Sequence, residues 1–312
     1  MSEATFQRDI FIKEIFQAAK NDRNIFFISA DFGAPALDDF RVQLPEQFIH
    51  SGISEQHMID MAAGLALSGK KVYVYAMAPF ITLRCLEQTK TSLALMNLPV
   101  TILAVGVGLG YADAGPTHYN TEDIACMRAI VGLEVWTPCD EISTRMMAKK
   151  TVSDPALRVI RMERHALPSV YRTEKDMGRE GYTKVRDGSG ICVLSSGQML
   201  HRVLSAADRC TDANPSVIDL FRIKPIDQEL VNELSAYRGI VTVEEQCLSG
   251  GFGSAILEVM ADQNLQRPVR RLGLPERYFF ENGGQEYLLD SSGLAIADIA
   301  GVIADLATTT IE

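Results

Sequence analysis

Short apolar runs alternate with helical periodicity along the first half of the chain. In the helix predicted from Ser54, apolar positions recur at three- and four-residue steps. Another helix is predicted from about residue 82 to 96. Near-continuous apolar strands between helices predict a parallel sheet that is covered on both faces. The strands of this sheet are IFFISA (25–30), QFIH (47–50), KVYVYAM (71–77), VTILAVG (100–106) and LEVWTP (133–138).

A second alternation follows a polar stretch. Residues 171–186 are rich in charge and glycine and show neither helical nor strand periodicity, which predicts a linker. The fold class is therefore α/β, with two doubly wound domains. A parallel-sheet domain spans 1–170, and a smaller mixed-sheet domain spans 187–312. In the second domain, strands are predicted at ICVLSSG, SVIDLFRI, GIVTVEEQ and VRRLGLP, and helices at 198–210, 227–236 and 253–263.

Composition narrows the class of protein. Of 312 residues, 47% are apolar and 22% are charged, which is typical of a globular protein with a large core. The net charge is −10 and no run of Lys or Arg occurs, so nucleic acid is not an expected partner. Six widely spaced cysteines lack metal-ligand spacing and indicate reduced thiols. The N-terminus lacks a secretory apolar block, and the apolar stretch 94–111 is interrupted by Asn97, Pro99 and glycines. We therefore expect a cytoplasmic protein without membrane association.

Glycine-rich turns are the first motifs to consider as nucleotide-binding sites. Gly106-x-Gly108-x-Gly110 and the SGGFG turn at 249–253 lack the full dinucleotide-binding spacing, and tight turns with close packing explain them better. No GxxxxGK[ST] loop, GxSxG elbow or HExxH pair occurs in the sequence. The sequence therefore shows no phosphate cradle, no serine nucleophile and no metal site of its own.

Polar and aromatic residues follow the predicted strands at their carboxyl ends, where open α/β sheets bind ligands. Taken singly, each has an ordinary structural explanation, such as a first-turn acid stabilised by a helix dipole or a core aromatic. Taken together, they favour a functional site. The set is Asp31, Glu55, Phe80, His118 and Arg164.

The motifs around these residues occur in order along nearly the whole chain. They are Ser29-Ala30-Asp31-Phe32, Gly52-Ile53-Ser54-Glu55-Gln56, Ala78-Pro79-Phe80, Gly115-Pro116-Thr117-His118, Lys224-Pro225-Ile226-Asp227, and Glu244-Glu245 ahead of Gly250-Gly251-Phe252-Gly253. In these motifs the sequence resembles the transketolase superfamily of thiamine-diphosphate enzymes, with a pyrimidine-binding domain followed by the transketolase C-terminal domain. In the family, a GDG motif on a separate domain holds the diphosphate and Mg²⁺, and this chain has no GDG. The resemblance therefore implies one subunit of a split, two-component transketolase, whose partner chain carries the pyrophosphate-binding domain.

The resemblance also implies roles for the residues. In the family, the acid at the position of Glu55 hydrogen-bonds N1′ of the aminopyrimidine and favours the imino tautomer, whose 4′-nitrogen removes the thiazolium C2 proton. His118 matches a histidine that contacts the sugar donor, so Glu55 and His118 are the catalytic candidates. Arg164 and Arg8 match arginines that hold a sugar phosphate through their planar guanidinium groups. The implied cofactor-binding residues are Asp31, Phe32, Glu55 and Phe80, and the implied substrate-binding residues are His118, Arg164 and Arg8.

The implied activity is transfer of a two-carbon ketol unit from a ketose or ketose phosphate to an aldehyde. The enzyme would be a heterotetramer in which this chain binds the pyrimidine half of thiamine diphosphate and the partner chain supplies the Mg²⁺ ligands. Two departures from the family concern the substrate. Ala114 stands where sugar-phosphate transketolases carry Asp, with Asp113 one step away, and no histidine occurs in TILAVGVGLG (101–110).

Three alternatives stay open. The β subunit of a 2-oxoacid dehydrogenase's first component and a deoxyxylulose-phosphate synthase-like enzyme use the same cofactor. The GPTH sequence with His118 favours transketolase over the dehydrogenase. The third alternative is a non-catalytic α/β scaffold subunit, and the joint presence of Glu55, Phe80 and His118 favours an enzyme instead.

Overall fold

Two sheets organise the computed structural model, which describes residues 6–178 and 181–309. The strands are β1 (Ile25–Ala30), β2 (Phe48–Gly52), β3 (Lys71–Met77), β4 (Val100–Val105), β5 (Glu134–Trp136), β6 (Arg158–Met162), β7 (Thr183–Arg186), β8 (Ile191–Ser195), β9 (Ser216–Asp219), β10 (Arg222–Lys224), β11 (Gly239–Cys247) and β12 (Val269–Leu274). The helices are α1 (Gln7–Ala19), α2 (Leu37–Gln43), α3 (Glu55–Leu67), α4 (Ala78–Ile81), α5 (Leu86–Gln88), α6 (Asp123–Arg128), α7 (Glu141–Ser153), α8 (Gln198–Arg209), α9 (Glu229–Ser235), α10 (Phe252–Asp262), α11 (Gly284–Leu289) and α12 (Ile296–Thr308).

The first sheet has seven strands in the order β10-β5-β6-β4-β3-β1-β2, and all of its pairs are parallel except β10 with β5. Side chains alternate between its faces, so that Phe27 of β1 belongs to the core cluster that includes residues of α1 and α7, whereas Ile28 belongs to the cluster that includes residues of α3 and α6. Every residue of β4 is buried. The predicted parallel sheet with helices on both faces is therefore confirmed.

The second sheet has five strands in the order β12-β11-β8-β9-β7. Its pairs are parallel except for β7, which runs antiparallel to β9 and makes the sheet mixed, as predicted. Helices α8 and α12 cover one face, where they share a core cluster with Val193 and Val241. Helices α9 and α10 cover the other face, where they share a cluster with Cys192 and Ile240. The chain is thus α/β throughout, with two doubly wound sheets.

The prediction of a single strand at SVIDLFRI (216–223) is wrong. The chain turns at Leu220 and Phe221, and the run becomes β9 in the second sheet and β10 at the edge of the first. Phe221 packs against Trp136 with ring centroids 6.4 Å apart, and its carbonyl accepts a hydrogen bond from the backbone N–H of Thr137 at 2.8 Å. Packing across the two sheets, which a hydrophobic run does not reveal, therefore divides the strand.

The polar stretch 171–186 contains structure that the sequence did not predict. A short 3-10 turn spans Glu174–Asp176, and Thr183–Arg186 form β7 at the edge of the second sheet. Because β7 is an exposed edge strand, its sequence TKVR carries no apolar run. The domain bounds 1–170 and 187–312 stay a prediction, although β7 shows that the second sheet begins before residue 187.

The helix predicted from about 82 to 96 is interrupted. Helix α4 ends at Ile81, and after a turn α5 continues into a wide helical segment, Thr89–Ala94. The Thr82 hydroxyl oxygen Oγ1 lies 2.7 Å from the Ala78 carbonyl oxygen and 3.1 Å from Asn120 Oδ1. A hydroxyl that bonds the backbone in this way competes with the regular helical pattern. The interruption shapes the segment that carries Phe80 and Arg84.

One helical run, Gly284–Thr308, is long and apolar enough to cross a membrane by length and composition, which alone is weak evidence. Gly293, with φ of 76°, divides the run into α11 and α12. Ile299, Ile303 and Leu306 of α12 are buried in the same core cluster as residues of the second sheet. The apolar face of α12 thus serves as cover for a sheet.

Candidate functional site

The parallel strands of the first sheet end at one edge, which we call the site edge. Five of the predicted site residues lie directly beyond strand ends there, because each follows a parallel strand within the same sheet. They are Asp31 after β1, Glu55 after β2, Phe80 after β3, His118 in the loop between β4 and α6, and Arg164 after β6.

Arg84 links Glu55 to Phe80, and Phe80 in turn contacts His118. The Glu55 side chain is only 7% exposed, and its Oε2 accepts a hydrogen bond from Arg84 Nη1 at 2.7 Å. The guanidinium carbon of Arg84 lies 4.1 Å from the centroid of the Phe80 ring. The rings of Phe80 and His118 meet edge to face, with centroids 5.3 Å apart. We call Glu55, Phe80, Arg84 and His118 the Glu55 group.

Local backbone geometry presents this group. Strand β2 ends at Gly52, whose φ of 68° suits glycine and turns the chain toward α3. The Ser54 hydroxyl fixes the turn by donating to the Ser51 carbonyl at 2.6 Å. Helix α3 then begins at Glu55, so the carboxylate lies at the positive end of the helix. Pro79 in the first turn of α4 lies just before Phe80 and favours a helix start.

A second group surrounds Tyr111. The guanidinium carbon of Arg164 lies 4.5 Å from the Tyr111 ring centroid, and its Nη1 donates to Asp113 Oδ1 at 2.6 Å. This hydrogen bond lowers the pKa of Asp113. Burial raises the pKa of the Tyr111 hydroxyl, and the positive charges of Arg164 and Arg8 oppose that rise. The charges of both predicted substrate arginines therefore act on the Tyr111 hydroxyl, and the guanidinium of Arg164 lies against its ring. We call Arg8, Tyr111, Asp113 and Arg164 the arginine group.

Asp31 and Phe32 have different surroundings. Phe32 stacks on Tyr75 with ring centroids 5.3 Å apart and meets Tyr111 edge-on at 6.3 Å, so it lies against the arginine group. The Asp31 side chain is exposed, and its neighbour is His50, whose Nε2 lies 4.0 Å from Asp31 Oδ1. The structure thus places Asp31 at the site edge without bringing it into contact with the Glu55 group.

The glycine turns hold side chains of the chain itself. A Cβ added to Gly106, whose φ is 80°, would lie 1.9 Å from the Tyr111 ring. The Glu244 carboxylate fills the turn ahead of α10, where it accepts hydrogen bonds from the backbone N–H groups of Phe252 at 2.7 Å and Gly253 at 3.0 Å. Burial raises the pKa of Glu244 to about 7. This helix N-terminus, a natural anion position, is therefore already occupied by a carboxylate.

Sequence reasoning missed several residues of the site. Arg84 had no predicted role, although its spacing of four from Phe80 places the two side chains near each other on helical backbone. Tyr111 was one aromatic among many, and Glu163 stood in no motif. Glu245 stood in a motif without a role, and the signal that could have singled it out is a pair of acids inside the buried strand GIVTVEEQ.

Fold and site together define an α/β protein with two sheets and a candidate site at one edge of the first. The chain belongs to the transketolase family. The sequence profile described as "Transketolase, pyrimidine binding domain" matches residues 7–170, and the one described as "Transketolase, C-terminal domain" matches residues 181–299.

Curated relatives include separate subunits and longer chains. The chain is 33% identical over 298 residues to one of the subunits of the apulose-4-phosphate transketolase of Phocaeicola vulgatus, with 92% of this chain and 94% of the relative covered. It is 30% identical over 291 residues to a putative transketolase C-terminal section of Methanocaldococcus jannaschii, covering 92% and 91%. It is 34% identical over 291 residues to 1-deoxy-D-xylulose-5-phosphate synthase of Methylobacillus flagellatus, where it spans 46% of the relative.

Similar solved structures also include both a separate subunit and a longer chain. A split-gene transketolase described as an inactive beta4 tetramer superposes with a TM-score of 0.87 and 28% identity, covering 97% of this chain and 98% of that one. A transketolase of Pichia stipitis has a TM-score of 0.81 and 17% identity, and this chain covers 46% of it, which shows a shared fold. The predicted subunit of a split, transketolase-like transferase that works in a heteromer is confirmed. The roles of individual residues stay predictions.

The residues at the site edge fit the pyrimidine half of thiamine diphosphate, the cofactor that the family implies. A planar, nitrogen-rich group already lies against Glu55 and Phe80, namely the Arg84 guanidinium. The glycine-rich SGGFG turn ahead of α10 is filled by Glu244. Within 6–178 and 181–309, no group of three or more His, Cys, Asp or Glu could hold a metal ion.

Proposed function

We propose that this chain holds the pyrimidine side of thiamine diphosphate in a split transketolase that transfers a two-carbon ketol unit from a ketose phosphate to an aldehyde. The observation that carries the proposal is the Glu55 group, in which a buried carboxylate, an aromatic face and an imidazole lie together at the site edge. When bound, thiamine diphosphate supplies the electron sink that carbon–carbon bond cleavage beside a carbonyl needs.

The chain's own side chains divide the work. Glu55 shares a proton with N1′ of the aminopyrimidine, and Phe80 stacks on that ring. His118 contacts the sugar donor. Its Nδ1 lies 2.9 Å from Thr117 Oγ1, so Nε2 is the nitrogen left to face the donor. Asp31 and Phe32 line the thiazolium side of the site edge.

The arginine group binds the phosphate of the sugar. Arg8 and Arg164 place two guanidinium charges around Tyr111, and a guanidinium pairs with phosphate oxygens through two parallel N–H bonds. Asp113, the residue next to the expected acid position at Ala114, is bonded to Arg164. Asp113 therefore orients Arg164, and other residues bind the sugar hydroxyls.

A partner chain completes the site. It supplies the diphosphate cradle and the Mg²⁺ ligands, and two copies of each chain form a heterotetramer in the cytoplasm. The filled glycine turn supports this division, as does Ile53, which is 79% exposed two residues before Glu55. An apolar side chain at the mouth of a site suits burial against another protein.

The decisive experiment mixes the purified chain with the pyrophosphate-domain subunit of the same organism and assays ketol transfer with thiamine diphosphate and Mg²⁺. Glu55→Gln should lower kcat at least about 100-fold, the range expected of a lost acid–base group. Glu46→Gln is the matched control, because Glu46 is an exposed acid in the turn before β2. Full activity of Glu55→Gln would sink the assignment. Tight binding of cofactor and Mg²⁺ by the chain alone would sink the split site.

Deoxyxylulose-phosphate synthase chemistry is the second candidate. The observation that favours it is the 34% identity to the Methylobacillus flagellatus synthase over 92% of this chain. A donor panel separates the two, because transketolase chemistry needs a ketose donor and the synthase-type reaction needs a 2-oxoacid donor. We expect turnover with the ketose phosphate.

A further inference from the structure

Beneath the arginine group, the two sheets meet at buried polar side chains that we call the seam. It consists of Glu163 after β6, Glu245 in β11 and Gln285 in α11. Glu163 is 3% exposed and Glu245 is 8% exposed. Both acids line a cavity of about 30 Å³, which has room for about one water molecule. Two acids this deeply buried need an explanation that packing alone does not give.

Hydrogen bonds connect the seam to the site edge. The backbone N–H of Arg164 donates to Glu163 Oε1 at 2.6 Å, and the backbone N–H of Leu109 donates to Glu245 Oε1 at 2.8 Å. Gln285 Nε2 lies 2.9 Å from Glu245 Oε1 and 3.4 Å from Glu163 Oε2. Leu109 belongs to the loop 106–122, which carries Tyr111 and His118. The seam therefore ties that loop to the residue whose guanidinium lies over Tyr111.

The charges around the seam do not balance two carboxylates. Arg161 is the cation that faces both acids, and it is already engaged by Asp123 through two hydrogen bonds of 2.7 and 3.0 Å. Burial raises the pKa of Glu163 to about 7. Burial and the neighbouring Glu163 raise the pKa of Glu245 to about 8. At neutral pH the pair thus retains a proton, since two uncompensated buried charges are costly.

We propose that Glu163 and Glu245 hold one proton between them and act as a clamp that positions Arg164 against the loop 106–122 for a phosphorylated substrate. Both acids are positioning residues in this proposal, because they act through Arg164 and the loop. The proposal rests on the proposed function, in which Arg164 binds the sugar phosphate. It goes beyond that function because the groups that control the position of Arg164 lie at the junction of the two sheets.

Loss of the shared proton opens the clamp. Two ionised carboxylates repel each other, and the amide of Gln285 has only two hydrogens for three acceptors, the third being Gln198 Oε1 at 2.9 Å. The folded chain binds more protons than the unfolded chain between the ordinary carboxyl pKa and about 8, so stability falls as pH rises through that window. Besides Arg161, the charged or titratable groups around the pair are Glu244 of β11, which lines the same cavity, and Tyr111 of the loop, which interacts with Glu163. Asp123 of α6 binds Arg161, and the guanidinium of Arg164 lies over Tyr111.

Glu163→Gln tests the clamp, because an amide has no proton to lose and stays neutral at every pH. In the assembled enzyme, the wild-type KM for a ketose phosphate should rise about tenfold between about pH 6.5 and 8.5, whereas that of Glu163→Gln should change less than about twofold. The kcat values should differ little. Glu244→Gln is the matched control, because Glu244 is equally buried with a raised pKa but bonds the start of α10. It should keep the wild-type KM profile.

Urea unfolding of the chain alone provides a second readout. Between about pH 5 and 8.5, Glu163→Gln should lose less stability than the wild type. Equal pH dependence in the two chains overturns the shared proton, whether or not ketol transfer is observed. A flattened unfolding profile with an unchanged KM profile overturns the positioning role. Absence of ketol transfer by the wild-type enzyme counts against the proposed function instead.

Discussion

The site edge and the seam both combine acids with arginines, and they differ in what completes them. At the site edge, Glu55 is buried but its partner Arg84 is 41% exposed. Beside the seam, Arg161 and Asp123 are both buried and bond each other twice, and the two acids of the seam are tied to backbone N–H groups and Gln285. The seam is complete within one chain. The site edge carries an exchangeable contact of the kind that a ligand can replace.

The difference shows how a buried acid acquires a role. An ion pair with one exposed member contributes little to stability, because water can replace that member beside the buried one. A fully buried pair contributes mainly through the penalty of separating its members. We therefore expect ligand binding where a ligand can replace one member of the ion pair, and a positioning role where it cannot. Each of the following predictions tests that contrast.

The largest effect should come from breaking the buried pair in Arg161→Met. Asp123 would then remain fully buried without its cation, which costs about 3–5 kcal/mol of the free energy of unfolding. Urea denaturation measures the loss. The double variant Arg161→Met with Asp123→Leu should recover much of it, because no lone charge remains. A loss below about 1 kcal/mol in the single variant would contradict the contrast.

Asp219 offers a pH-dependent test on the other side of the same junction. It is fully buried, and burial raises its pKa to about 7, although the Tyr171 hydroxyl donates to Oδ2 at 2.7 Å. The wild type should therefore lose stability as pH rises from about 4 through about 7, because the unfolded chain releases that proton earlier. Asp219→Asn should lose roughly 2–4 kcal/mol less over this range. Thermal unfolding at several pH values checks it, and parallel curves would refute it.

Arg164→Ala probes the edge directly. Removal of a charged hydrogen-bond donor to phosphate should raise KM for a ketose phosphate by about 10- to 100-fold, equivalent to about 1.5–3 kcal/mol. Stability should change little, since Arg164 is only partly buried and contacts the exposed Asp113. Arg41→Ala, which removes an exposed arginine of α2, is the control. Equal KM values for both variants would remove Arg164 from the substrate site.

The smallest effect should follow Arg84→Met. Arg84 is 41% exposed, so water can take its place beside Glu55, and the free energy of unfolding should change by less than about 1 kcal/mol. The same urea experiment that measures Arg161→Met measures this variant. A loss as large as that of Arg161→Met would erase the distinction between the two regions.

The order of strands and helices was predictable because apolar periodicity records burial within each element. The division of residues 216–223 was not, since Phe221 leaves the second sheet to pack against Trp136 at the edge of the first. Strand β7 escaped prediction for the opposite reason, because an exposed edge strand needs no apolar face.

Residue roles divide in the same way. Motif order led to Glu55, Phe80 and His118, which the fold brings into one group. Glu163 and Glu245 are 82 positions apart in the sequence, so only the tertiary structure joins them. A sequence can show a buried acid by its apolar neighbours, but the partner that decides its protonation comes from elsewhere in the chain.

Strand β10 has a consequence for how the chain can be divided. Its antiparallel pairing with β5 means that residues after the polar stretch close an edge of the first sheet. A protein truncated near residue 170 would expose that edge and invite pairing with other molecules. A chain cut by protease between 171 and 182 would instead stay associated, held by a strand that crosses from one fragment to the other. The two sheets thus form a single structural unit. A gene division ahead of this unit leaves both sheets intact, whereas a division between the sheets removes an edge strand from the first.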